Sequence, residues 1–239
     1  MTGAPQVAAR RPAAATLSRC LHALIAAVIV VALVIQLALV FMGGGGAGAP
    51  LTDGSTSVAV RLWRMFSFFT IQSNLLVLAT AVILMWRPAH DGRFWRVLRL
   101  DAMLGILITG LVFAIVLAPQ IHLTGWDLVA STGFHYIVPW GALAAWLFFG
   151  PRPRISWGTV AAAFLWPVLW LSYIFIQGVF TRWYPYPFLD VTTIGFGTAL
   201  RNVTLVLILA AALAGILKFL DYRLPALPRA ANVNRAGRH

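Results

Sequence analysis

A threonine, an asparagine and a histidine set in apolar sequence, Thr70, Asn74 and His135, carry the functional groups of acyl-transfer chemistry. A threonine hydroxyl is a poor nucleophile at neutral pH unless a base takes its proton. An imidazole, with an unperturbed pKa of about 6.5, suits that task. In the run Phe66-Ser67-Phe68-Phe69-Thr70-Ile71-Gln72-Ser73-Asn74, the residues Ser67, Thr70 and Asn74 fall at i, i+3 and i+7, on one face of a helix. His135 lies in Gly133-Phe134-His135-Tyr136-Ile137-Val138-Pro139, where Pro139 reads as a helix-start signal because its missing N–H would be unsatisfied in a first turn anyway. Where both segments enter the membrane from the same side, Thr70 and His135 share a depth and can meet. The structural alternatives are a Thr70 hydroxyl bonded to its own backbone, an Asn74 that joins two helices and a His135 that only packs.

Arg201 and Asn202 interrupt the last apolar stretch. A charge within the bilayer costs at least about 2.5–3.5 kcal/mol on insertion scales unless it is paired or solvated. Arg201 therefore needs Asp190, a water-filled cavity, backbone carbonyls or a substrate carboxylate. Asp190 closes the aromatic, proline-rich segment Trp183-Tyr184-Pro185-Tyr186-Pro187-Phe188-Leu189, in which Trp183 and Tyr184 read as interface anchors. Asp190 and Asp127 are the acids placed to orient His135, and Asp190 is also a counter-ion for Arg201. His122 and His135 lack a diagnostic ligand spacing, so neither a metal nor another cofactor is expected. Trp166, Trp170 and Tyr173 stand at helical spacing and read as core, with Pro167 a kink.

The elements that must hold these groups are membrane helices. Of the 239 residues 61% are hydrophobic and 10% charged, against roughly 45–50% and about 25% in a soluble domain, which excludes a water-soluble globule. Stretches near the 20 residues needed to cross the hydrocarbon core fall at about Leu21–Met42, Phe66–Trp86, Ala102–Ala118, Phe134–Phe149, Trp157–Ile176 and Ile194–Leu220. The expected fold is all-α: a polytopic, six-helix transmembrane bundle in the cell membrane over residues 20–220. A disordered cytoplasmic tail over 1–19 precedes it and a basic cytoplasmic tail over 221–239 follows. With the N-terminus inside, fourteen of the 18 cations fall on inner segments and only Arg61, Arg64 and Arg182 on outer ones, which favours both termini in the cytoplasm. The same asymmetry accounts for the net charge of +12 without nucleic acid as a partner. There is no Glu and one Lys, Lys218, which is not at mid-membrane, so paired-glutamate catalysis and a mid-membrane Schiff base are excluded, and five histidines, none at mid-span, disfavour a multi-haem cytochrome. The single cysteine, Cys20, closes no internal disulfide. Membrane lipids are the expected partners, and oligomeric state is not legible.

The motif Phe68-Phe69-Thr70-Ile71-Gln72-Ser73-Asn74, His135 with Pro139, and Tyr186-Pro187-Phe188-Leu189 resemble the androgen-induced family of six-span membrane hydrolases and its bacterial relatives, over roughly residues 20–220. The resemblance implies an intramembrane threonine hydrolase that cleaves fatty acid esters of hydroxy fatty acids, with Thr70 and His135 in the catalytic roles. For such a reaction Asn74, one turn below Thr70, is the expected oxyanion donor, and Arg201 the expected fork for the free carboxylate of a lipid acid. The competing classes are a transporter or sensor of small amphiphiles and a non-catalytic scaffold. A scaffold predicts Thr70 and His135 side chains more than about 7 Å apart, beyond hydrogen-bond reach.

Overall fold

The computed structural model describes residues 5–43, 56–88, 90–150, 152 and 154–224, with side chains from residue 14 onward. All regular structure among them is helical: α1 (Pro5–Phe41), α2 (Val58–Ser67), α3 (Phe69–Trp86), α4 (Arg93–Val112), α5 (Gly125–Thr132), α6 (Val138–Phe149), α7 (Trp157–Ala163), α8 (Leu165–Thr181), α9 (Val191–Ile194) and α10 (Phe196–Arg223). A π-helical turn, Phe113–Leu117, and a 3₁₀ turn, Ala118–Gln120, prolong α4, and a second π turn, Gly133–Ile137, joins α5 to α6.

Five stretches are long and apolar enough to cross a membrane: Ala14–Phe41, Phe69–Trp86, Arg93–Gln120, Trp157–Thr181 and Phe196–Arg223. Their outward faces carry exposed Val34, Ile115, Phe180 and Ile208, which in water would be a liability and in lipid are not. The expected fourth span, Phe134–Phe149, is the second half of a continuous helical path from Gly125 to Phe149, in which His135, Tyr136 and Pro139 dilute the apolar content. It is not among the five. At the N-terminus, helix begins at Pro5, so the part of the expected tail from residue 5 to 19 is helical. Residues 1–4 and 225–239 of the two expected tails lie outside the described residues.

Three prolines set the irregular turns. A proline ring clashes with the carbonyl four residues earlier and supplies no N–H, so a helix that runs through it must rewind locally. Pro119 and Pro139 each follow a π turn that spans the residue at risk, Ile115 and His135 respectively. Pro139 is the second residue of α6, the first-turn position expected of it, and the π turn before it carries the helical path back to α5. Pro167 stands four residues after Ala163, where α7 ends, and the expected kink is there.

The second expected span departs from expectation at its N-terminal end. Helix α2 stops at Ser67, Phe68 takes extended backbone angles (φ −67°, ψ 129°), and α3 starts afresh at Phe69. Ser67 and Thr70 therefore belong to different helices. The break is held from α8: the Trp170 indole N–H donates to the Ser67 carbonyl at 3.0 Å, and the Tyr173 hydroxyl and Ser67 Oγ share a hydrogen bond of 2.9 Å. Phe68 is buried with its ring edge-on to Tyr186 and Trp183. Thus Trp170 and Tyr173, expected as core packing, also spend their polar ends on this corner.

Candidate functional site

Thr70 is the second residue of α3, and the first amides of a helix have no partner within it. Its N–H donates instead to the Tyr186 hydroxyl at 3.1 Å. His135 comes from the π turn after α5, and its Nε2 lies 3.3 Å from Thr70 Oγ1. Both side chains are at most 3% exposed.

The hydrogen bonds order the protons. His135 Nδ1 stands 3.0 Å from the Ser131 carbonyl and 3.0 Å from Ser131 Oγ. A carbonyl only accepts, so Nδ1 carries the hydrogen and Nε2 presents a lone pair. The Thr70 hydroxyl donates to that lone pair, and Tyr186 O–H, 3.2 Å away, donates to Thr70 Oγ1. The result is a directed chain from Tyr186 through Thr70 to His135 and on to Ser131. Phe113 stacks on the imidazole with centroids 3.7 Å apart and planes 15° apart, which fixes the ring plane. Burial of Tyr186 pushes its phenol pKa up to about 12, so it is a neutral donor at ordinary pH.

Beyond Thr70 the site opens into an apolar cleft walled by α3, the C-terminal half of α4, α8, α10 and the Tyr186–Leu189 turn, with about 640 Å³ of empty space counted out to its mouth. Phe69, Ile108, Phe113, Trp170, Val206 and Leu207 form its walls; its side-chain hydroxyls are those of Thr70, Tyr186 and Thr109. Thr109 Oγ1 is buried without a hydrogen-bond partner among the described residues. The Tyr186–Leu189 turn is tied down by Asn202, whose side-chain amide donates to the Phe188 carbonyl at 3.0 Å.

The remaining expected residues sit elsewhere. Asn74 donates its amide to the Thr70 carbonyl at 2.9 Å and the Phe134 carbonyl at 3.5 Å. It joins α3 to the π turn and has no N–H left for an oxyanion. Arg201 lies in the second turn of α10, because that helix begins at Phe196, and its side chain is exposed and off the cleft. Asp190 caps α9 by accepting from the Thr192 N–H at 2.9 Å, and so neither orients His135 nor pairs with Arg201. Asp127 stands on α5 with Oδ1 unpartnered, and the task expected of it falls to Ser131, one turn before His135. No group of three metal-ligating side chains occurs among the described residues.

Two participants escaped the sequence. The acceptor that orients His135 is chiefly a main-chain carbonyl, which has no signature in residue type. Tyr186 entered only as part of the Tyr186-Pro187-Phe188-Leu189 element and was given no role of its own; its burial is the distinguishing feature. Comparison with family models, curated proteins and solved structures finds no match in any of the three.

Proposed function

We propose that the protein is an intramembrane threonine hydrolase of lipid esters, acting on a fatty acid ester of a hydroxy fatty acid or a close analogue. The observation that carries this reading is the directed hydrogen-bond chain at Thr70, in which a nucleophile, a base with a free lone pair and an orienting acceptor are all within 3.3 Å of their neighbours. A scaffold has no need of that proton order. The apolar cleft suits an acyl chain, and the absence of a cation from its wall means a free carboxylate stays at the mouth.

In the reaction Thr70 Oγ1 attacks the ester carbonyl carbon as its proton passes to His135 Nε2, an assistance typically worth about 10² to 10⁴ in rate. The carbonyl π pair moves onto oxygen. Tyr186 turns its O–H from Thr70 to that oxyanion, and the Thr70 amide at the start of α3 adds a second positive edge. The intermediate collapses with loss of the alkoxide, which takes the proton from His135. The acyl-threonine is then cleaved by water, again with His135 as base, to release the fatty acid and restore the Thr70 hydroxyl. Thr109 can hold the leaving oxygen or the incoming water.

The same reading puts six spans in the cell membrane, with Gly125–Phe149 as the fourth, both termini cytoplasmic and the site near the outer surface. The arginine asymmetry supports this arrangement. The test is ester turnover by purified protein over a panel of lipid esters. Thr70→Ala and His135→Ala should fold normally and lose turnover, while Thr70→Ser keeps part of it. Equal turnover by native protein and Thr70→Ala would reject the proposal.

A further inference from the structure

The face of α4 that walls the cleft beside Thr70 continues past it. Phe113, Thr109 and Ile108 line the cleft; Ile108, Gly105, Leu104 and Asp101, at helical spacing along the same stripe, line a second, smaller chamber of about 250 Å³ counted out to its mouth. Phe69, Ile108, Pro167 and Ala210 belong to both walls and form the neck between them. Phe164 and Trp166, at the kink between α7 and α8, add aromatic faces to the chamber.

Asp101 is the one charged residue in this wall. It is 9% exposed, its Oδ1 is buried without a hydrogen-bond partner, and it enters no ion pair among the described residues. The groups that could have answered it are turned elsewhere. Arg99, two residues earlier, lies about 200° round the helix and lines two other cavities. The Trp166 indole N–H donates to Gln72 at 3.3 Å, the Phe164 amide donates to the Ala161 carbonyl, and Ser73 Oγ, packed behind Gly105, makes no bond to the carboxylate. A second acceptor stands in the same wall. Pro167 has no N–H, so the carbonyl of Ala163, four residues before it, lacks the donor that an unbroken helix would supply. The chamber thus offers acceptors and aromatic faces but no free side-chain donor among the described residues. A carboxylate left without a partner in an apolar span is costly, and such residues mark sites. Along the axis Asp101 stands about 12 Å from the start of α4 and about 18 Å from Phe113, the residue stacked on His135.

We propose that this chamber binds the primary ammonium group of an amphiphilic amine, whose alkyl chain runs through the neck into the cleft beside Thr70. An ammonium brings three N–H donors and a positive charge. One donor pairs with the Asp101 carboxylate, a second suits the Ala163 carbonyl, and the rings of Phe164 and Trp166 are of the kind that attract a cation to their faces. The wall supplies too few oxygens for a bare metal ion, which takes about six. The 18 Å to Phe113 is room for a chain of about twelve carbons. Binding requires no ester turnover, so this proposal and the hydrolase reading stand or fall separately.

The experiment follows the melting temperature of the full-length protein in an uncharged detergent at neutral pH during titration with dodecylamine, dodecanol or dodecyltrimethylammonium. The three share a chain; dodecanol has a neutral donor, and the trimethyl compound has the charge without any N–H. The expected result is a saturable rise with dodecylamine and little or none with the other two. Asp101→Asn, which keeps the shape and loses the charge, should weaken the apparent affinity about tenfold or more. Asp101→Leu should abolish the response and, without amine, melt above the native protein, since it removes a buried charge that has no partner. General surfactant effects are common to all variants and cancel in that comparison. Should Asp101→Asn fail to fold, Asp101→Leu serves in its place. No rise with dodecylamine, an equal rise with either control, a native response in Asp101→Asn, or a lower melting temperature for amine-free Asp101→Leu would overturn the proposal.

Discussion

At the residue scale the account rests on three side chains with divided labour. In the proposed hydrolase Thr70 attacks, His135 moves the proton, and Tyr186 answers the charge that develops on oxygen. Tyr186→Phe keeps the ring contacts with Phe68 and Phe188 and removes only the hydroxyl. Steady-state kinetics on that variant should show kcat lower by about 10² to 10³ with KM little changed, the usual signature of a lost oxyanion donor. The phenol also has a pH consequence. Its pKa is raised by burial from 10.0 to about 12, so between those values the unfolded chain releases a proton that the folded protein keeps, and stability falls as pH rises. Melting curves from pH 9 to 12 should show that fall, and Tyr186→Phe should lose part of it. Thr70 and His135 were legible because a polar group in an apolar run is conspicuous. Ser131 was not, since its carbonyl could belong to any residue, and Asn74 misled because helical spacing shows which face a side chain is on and not which acceptors wait there.

At the element scale the site depends on two interruptions of helix. One is the corner at Phe68, which exposes the Thr70 amide to Tyr186. No Gly or Pro marks it, so a continuous span was the natural reading of the sequence; Trp170 and Tyr173 impose the corner from a helix a hundred residues later in the chain. The other is the π turn at Gly133–Ile137. Here the cause, Pro139, was visible, but its effect runs backward along the helix to His135 and forward to nothing. The Tyr186 turn is anchored in part by Gly178, where the Tyr184 ring occupies the place a Cβ would need. Gly178→Ala should push the 183–190 segment off its seat and so withdraw Tyr186. Turnover should drop by an amount similar to Tyr186→Phe while the helical circular dichroism is kept, and native turnover would show that the segment is not positioned this way.

At the scale of the whole molecule, composition already required a helical membrane protein, and five of the expected spans are long apolar helices, although the first and third begin seven and nine residues before their expected starts. The fourth is the exception, because the residues that lower its apolar content include His135 itself: a helix that carries a polar candidate site is harder to recognise as a span than one that is apolar throughout. Reporter fusions test it directly. Alkaline phosphatase fused after His122 should be active and after Arg154 inactive if Gly125–Phe149 crosses; the same result at both positions would mean it does not. The central claim, that Thr70 is a nucleophile driven by His135, is tested most directly by labelling the intact protein with a long-chain fluorophosphonate, followed by peptide mass spectrometry. One adduct on Thr70, absent from Thr70→Ala and formed at least about a hundredfold more slowly in His135→Ala, is the predicted result. An adduct on another residue, or equal labelling of the Thr70→Ala protein, would contradict it.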